Sequence, residues 1–377
     1  MRKSIAIIIT SILVLSGCNK QQSVSDRLLN EVEKAIAINP DSASNLLKGI
    51  SSPEKLDNKT FARWCMLSGK ITDEIFNSIL PTYQLERAYD WYSSHGSPDE
   101  QVQILIYLGR SYFADGDYDK AMSIYTNALD IAEKNKLNNL TGYTYSYIGD
   151  LYGEKFIRTE AIKRYKAAAE CFKKENNTDS YACALRDVGR EYACIDSLSR
   201  ALKILTIADS VARNTKNIEV TASIDNALGN IYAMQNKYDK AEEYFLKALV
   251  GRETMPDYMA LIDLYIASGA INKAQELLSK ILQDNPKYTY SIKYLYYQIY
   301  NEEKNYKEAL TNLKEYVEIT DSIIYADNQS KILNIESKYN HLKISKEVDR
   351  LKIKQQSYII VLVICIGILL LIIIGYL

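Results

Sequence analysis

Two rhythms of apolar and polar positions are superposed in the middle of the chain. The short one is helical. Leu105, Leu108 and Tyr112 recur at spacings of three and four, and so do Ala121, Tyr125, Ala128 and Leu129. Between the two runs, Asp115-Gly116-Asp117 supplies turn formers, so the segment from Gln101 to Lys136 reads as two helices joined by a tight turn. The long rhythm is forty residues. Leu108-Gly109, Ile148-Gly149, Val188-Gly189 and Leu228-Gly229 are each followed, three residues after the Gly, by Tyr112, Tyr152, Tyr192 or Tyr232. Twelve residues after each Gly comes Ala121, Ala161, Ala201 or Ala241, and seven further on Ala128, Ala168, Ala208 or Ala248. A fixed period with small residues in fixed places predicts helical hairpins that stack, because one hairpin cannot bury its apolar face alone. Gly109 and Ala121, with Gly149 and Ala161, Gly189 and Ala201, Gly229 and Ala241, are expected where the two helices cross. The second Ala is expected against the next hairpin, with Tyr112 and Tyr125 filling the space between.

Two more units follow at a shorter step. One carries Leu261, Tyr265, Ala274 and Leu278 with Pro286 behind them, and the other carries Tyr300, Ala309, Leu313 and Tyr316. Upstream, Gly69 and Ala88 fall on the forty-residue grid, with Pro81 where an Ala belongs, an irregularity expected to disturb that hairpin. The Leu-Gly, Tyr, Ala, aromatic and Ala positions resemble the tetratricopeptide repeat. The resemblance implies an all-α fold, a right-handed superhelix of about six to seven repeats over residues 61–320. The family's usual period is shorter than forty, which predicts helices lengthened by about a turn in total. Residues 19–60 read as capping helices, broken at Pro40-Asp41-Ser42.

Both ends are apolar. Residues 1–18 combine Met1-Arg2-Lys3, an apolar run from Ile5 to Leu15, and Leu15-Ser16-Gly17-Cys18. That ending resembles a bacterial lipobox and implies cleavage before Cys18 and attachment of lipid there. Residues 358–377 form a stretch long enough for a helix to span a bilayer, bracketed by Tyr358 and Tyr376. No basic stop-transfer segment follows it, as would be expected of a piece of a longer chain. Residues 321–357 contain neither Gly nor Pro, and Ile332, Ile335, Tyr339 and Leu342 form a short heptad-like stripe. A long helix that pairs with a second copy as a coiled coil, and a helix packed as a cap on the repeats, are the two readings of this segment. Together the ends place the chain in a bacterial cell envelope, in the cytoplasmic membrane with the repeats in the periplasm. The basic residues Lys343, Lys346, Arg350, Lys352 and Lys354 before the span argue the other way, but an export signal carries a large domain across regardless of flanking charge.

Composition then narrows the chemistry. Net charge is -1, so no global field favours nucleic acid. His95 and His341 are the only histidines in the chain, which removes most His-based catalysis and metal binding. No phosphate-binding glycine loop, zinc-protease motif or nucleophile elbow is present. No enzyme activity, cofactor or metal is expected. Cys65, Cys171, Cys183 and Cys194 show no paired spacing and are expected as thiols within helices, with Cys171–Cys183 the pair that an exported domain could oxidise.

The expected function therefore lies in the groove that, in this family, the first helix of each hairpin lines. Carried onto this chain, the groove positions are Tyr107 and Arg110, Tyr147 and Asp150, Arg186 and Arg190, and Asn226 and Asn230. The last two pairs each sit one helical turn apart on one face. A guanidinium fork and a carboxamide together can grip a carboxylate or a peptide backbone. The alternative is internal pairing of Arg190 with Asp150 or Asp187. The layout of signal, repeats, Lys-rich helix and span is similar to bacterial membrane regulators, which implies a protein- or peptide-binding input module. A structural scaffold of an envelope complex, without sensing, is the other expectation.

Overall fold

The computed structural model describes residues 24–75, 79–284 and 289–325, with 350, 353–354 and 356–358. It falls into two compact units, Met1–Thr320 and Asp321–Leu377. Every regular element among the described residues is helical.

The first unit opens with α1 (24–36) and α2 (Pro40–Lys48). Asn39 caps α2 by accepting the Ser42 N–H, and Pro40 occupies the first helical position, where its missing N–H costs nothing. Then come the hairpins: α3 (Asn58–Ile75) with α4 (Thr82–His95), α5 (Pro98–Ala114) with α6 (Tyr118–Lys134), α7 (Asn138–Glu154) with α8 (Arg158–Lys174) and α9 (Thr178–Cys194) with α10 (Leu198–Ala212). The series continues through α11 (Ile218–Met234) with α12 (Tyr238–Gly251), α13 (Met255–Ala267) with α14 (Ile271–Asp284), and α15 (Thr289–Glu302) with α16 (306–320). The first helices of successive hairpins pack on one another, α5 on α7, α9 on α11 and α11 on α13, and so form one layer of a solenoid. The second helices form the other.

Pro81 does not break the first hairpin. It stands one residue before α4 as the N-cap, outside the helix interior where it would remove a hydrogen bond.

Helix length departs in part from the one-turn expectation. Helices α5 to α9 and α11 are 17 residues each, against 14 for α12, α14 and α15 and 13 for α13. Each 17-residue helix gains nearly a turn, so the hairpins α5–α6 and α7–α8 gain nearly two, while α9–α10 and α11–α12, with second helices of 15 and 14 residues, gain about the one expected.

The turns explain the period. Gly116, Lys136, Phe156, Asn176, Asp196, Lys216 and Asn236 all have positive φ and follow one another at steps of twenty residues. Around most of them the backbone closes a Schellman motif. The Asp117 N–H reaches the Tyr112 carbonyl at 2.9 Å, and Leu137 to Ala132, Ile157 to Tyr152 and Lys237 to Tyr232 repeat the bond. Two orphan carbonyls are thereby satisfied without any side chain.

The glycines make room for bulk. A Cβ on Gly149 would stand 2.7 Å from the ring of Tyr165, and one on Gly229 would be 2.6 Å from Phe245. Gly109 and Gly189 face Tyr125 and Leu205 in the same way. The missing Cβ thus admits a large side chain of the hairpin's second helix, each worth roughly 1.5–3 kcal/mol when buried. Gly69 departs from this use, since it faces Tyr107 of the following hairpin. Ala121, Ala161, Ala201 and Ala241 are fully buried, as are Ala128, Ala168, Ala208 and Ala248.

Cys65, Cys171, Cys183 and Cys194 are free; Cys65 is buried and Cys194 is exposed. In the second unit, residues 321–325 are helical, and so are 350, 353–354 and 356–358. Among the described residues no helix is long and apolar enough to cross a membrane. The signal segment with Cys18, the heptad-like stripe and the span beyond Tyr358 lie outside the described residues.

Candidate groove in the first-helix layer

Two adjoining cavities open along the layer of first helices. One, of about 500 Å³, lies among α3, α5 and α7 and is lined by Ile106, Tyr107, Tyr143 and Tyr147 with Lys70 and Arg110. The other, of about 460 Å³, lies among α7, α9 and the start of α8 and is charged. A further cavity of about 690 Å³, between α12 and α14, touches none of the expected groove residues.

In the first cavity, Tyr107 is buried and fills the space left by Gly69. Arg110 is ion-paired with Asp73 and lies 5.5 Å from the centre of the Tyr147 ring. Tyr147 in turn stacks on Tyr125, ring centres 5.7 Å apart. Burial pushes the phenols of Tyr107 and Tyr147 far above their ordinary range, so both stay protonated. This end offers aromatic faces, and its Arg110 is already engaged.

In the second cavity, Asp150 accepts the Tyr165 hydroxyl at 2.6 Å. The residue reaches the surface, but its carboxyl is drawn in among Tyr165, Asp187, Arg186 and Arg190. Withdrawal from water raises its pKa to about 6, against the lowering effect of the Tyr165 hydrogen bond and the two guanidiniums. Arg186 does not reach out as a free fork. Its Nε and Nη2 bind the two oxygens of Asp187 at 2.9 and 3.1 Å, and its Nη1 donates to Ser223 at 2.9 Å. Arg190 is different. Its side chain is 66% exposed, and its nearest acid is Asp187 at 3.8 Å. The internal pairing weighed for Arg190 is thus present with Asp187, but loose.

Asn226 and Asn230 sit apart from both cavities. The Asn226 amide donates to Asp257 at 2.9 Å, and its carbonyl oxygen accepts from Asn230 at 3.0 Å. Asp257 is 1% exposed and also binds Arg252 through two bonds of 3.0 Å and the Thr254 hydroxyl. Asn226 therefore ties α11 to α13, and Asn230 is the exposed member of the pair. The four-residue grip is divided: Arg190 and Asn230 face outward, while Arg186 and Asn226 serve the scaffold.

Several lining residues escape a reading of repeat positions. Glu154, Phe156 and Arg158 line the charged cavity from the α7–α8 turn, and Glu191 lines it from α9. Arg158 and Glu191 pair at 3.2 Å. Phe156 is 78% exposed, an unusual place for a large aromatic ring and the one sequence signal, an apolar residue in a turn, that pointed here. Among the described residues no group of three or more His, Cys, Asp or Glu side chains is arranged to hold a metal.

Tetratricopeptide-repeat family models match residues 105–138 and 221–255. No curated protein matches the chain. Among solved structures, a Rap protein complexed with Competence and Sporulation Factor is similar at TM-score 0.61 and 18% identity, covering 81% of this chain and 88% of that one. The apo form of RapI is similar at TM-score 0.53 and 14% identity, covering 84% and 96%. The apo quorum sensor NprR from B. thuringiensis is similar at TM-score 0.50 and 15% identity, covering 84% and 99%. At such identities the likeness is one of fold. The repeat matches, set on stacked helical hairpins, show a tetratricopeptide-repeat protein, and the likeness adds that its fold is shared.

Proposed function

We propose that the chain is a binding module whose first-helix layer takes a segment of another polypeptide, and that it acts as the input part of a membrane-tethered regulator. The observation that carries this reading is the pair of adjoining cavities on one layer, one aromatic and one charged, with the Arg190 side chain standing open beside them. The Rap protein of similar fold is complexed with a factor, which supports a ligand-taking role for this architecture. Tethering rests on the sequence: a lipid at Cys18 and a span over 358–377 would hold the repeats at the outer face of the cytoplasmic membrane. Pairing of two copies through 321–357 belongs to the same proposal.

The test is recovery of partners from cells after crosslinking. Arg190→Ala combined with Asn230→Ala should lose the crosslinked partner while helical circular dichroism is unchanged. Unchanged recovery would move the site off this layer. Cys18→Ser should release the chain from the membrane fraction only if the C-terminal span is removed as well.

A further inference from the structure

We infer that the charged cavity between α7 and α9 is a subsite for a basic side chain, lysine or arginine, of the polypeptide ligand; this rests on the binding role proposed for the layer. The lining carries four carboxylates, Asp150, Glu154, Asp187 and Glu191, against three guanidiniums, Arg158, Arg186 and Arg190. Two of those guanidiniums are spent. Arg158 is paired with Glu191, and Arg186 is held by both oxygens of Asp187. Arg190 leans to Asp187 as well, at 3.8 Å. Asp150 and Glu154 are left with neutral hydroxyl donors, Tyr165 at 2.6 Å and Tyr118 at 3.5 Å. They stand one turn apart on α7 and so share a face.

The Asp150 carboxyl is drawn into the cavity with no salt bridge of its own, Arg186 and Arg190 acting on it only from beyond ion-pair distance, and a cation entering beside it relieves the cost of its charge. The raised pKa of Asp150 is the same fact seen in protonation. Phe156 adds a second attraction. Its exposed ring borders the cavity beside Arg158, whose guanidinium lies 4.9 Å from the ring centre, so the ring already favours a cation at its surface. A lysine or arginine has the long apolar stem to lie along Phe156 and the charged head to reach Asp150 and Glu154.

The experiment uses the purified full chain against an array of immobilised random peptides of about nine residues. The expected result is that captured peptides are enriched in Lys or Arg. Replacing the enriched Lys by norleucine should weaken binding roughly tenfold or more. Asp150→Asn and Glu154→Gln, which keep side-chain shape, should together remove the preference. Captured peptides with no basic enrichment, or a basic preference that survives the double variant, would overturn the subsite and leave the binding layer standing. Absence of any captured peptide would overturn the polypeptide-binding reading and the subsite with it.

Discussion

The stretch from α5 to α11 and the stretch from α12 to α15 solve the same problem by different means. Both must turn the chain from a second helix into the next first helix. In most of the long-helix stretch the backbone does this, with a left-handed residue and its Schellman bond at Lys136 or Asn176; at Lys216 the left-handed residue is joined by Arg213 bound to the buried Asp225. In the shorter stretch, the join from α12 to α13 has no left-handed residue; Arg252 is extended, at φ -157. There a buried carboxylate gathers the chain. Asp257 binds Arg252, Thr254 and Asn226, and so fixes the turn and the neighbouring repeat together. A turn closed by backbone tolerates almost any residue, whereas a turn closed by side chains depends on one.

Asp257→Ala tests that contrast most severely. It should cost about 3 kcal/mol, the low end for breaking a buried ion pair, because the Arg252 left behind is 31% exposed. Chemical unfolding of the full chain followed by circular dichroism measures it. The matching change in the other stretch, Lys136→Ala, keeps the Schellman bonds and should cost well under 1 kcal/mol. Equal losses at the two turns would erase the distinction.

The next largest effect concerns the crossing of helices. Gly149→Ala places a methyl against the Tyr165 ring and should destabilise by about 1–2 kcal/mol after the gain in helix propensity is set against overpacking. In a Tyr165→Ala background, where the ring is gone, Gly149→Ala should cost far less, since the Tyr165 ring supplies the nearest atoms a Cβ would meet. An undiminished cost there would mean that the glycine serves the backbone and not the ring.

Within the long-helix stretch, Phe156→Gly should stabilise by about 0.5–1 kcal/mol, because left-handed strain in a bulky residue exceeds the entropy that glycine costs. Asn176→Gly should gain less, as Asn accepts that conformation more readily.

The smallest effect is one of pH. Asp150 has its pKa raised by burial to about 6, so the folded chain holds more protons than the unfolded chain between about pH 4 and 6. Its contribution is therefore most favourable at low pH and declines as pH rises through that window. The effect should stay under about 1 kcal/mol, because the residue reaches solvent. Asp150→Asn should flatten that part of the pH–stability curve.

Much of this architecture could be read from residues alone, because packing imposes residue types. Gly109, Gly149 and Gly229 must be small to admit Tyr125, Tyr165 and Phe245, so the forty-residue signature is written in side chains. The twenty-residue spacing of turns is not. Lys, Phe, Asn and Asp occupy the left-handed positions after Gly116, and no shared residue betrays them. The groove was legible in part for the same reason. Position along the repeat places Tyr147, Asp150 and Arg190 on the right layer. Whether a side chain is free depends on partners elsewhere: Asp187 adjoins Arg186 and consumes it, and Asp257, 31 residues away, consumes Asn226. Glu154, Phe156 and Arg158 lie in and around a turn, outside the positions a repeat pattern would single out.

Equal steps of twenty residues between left-handed turns also govern how such a chain can grow. Each step carries the polypeptide from one layer to the other, so an insertion has parity. A single added step would exchange the layers for everything downstream, sending Asp150 and Arg190 to the outside and the faces of α8 and α10 that bear Tyr165 and Leu205 inward. Two added steps leave every later residue on its own side. Duplication in pairs is thus the mode of lengthening that preserves the groove, and a splice of odd order would turn it inside out.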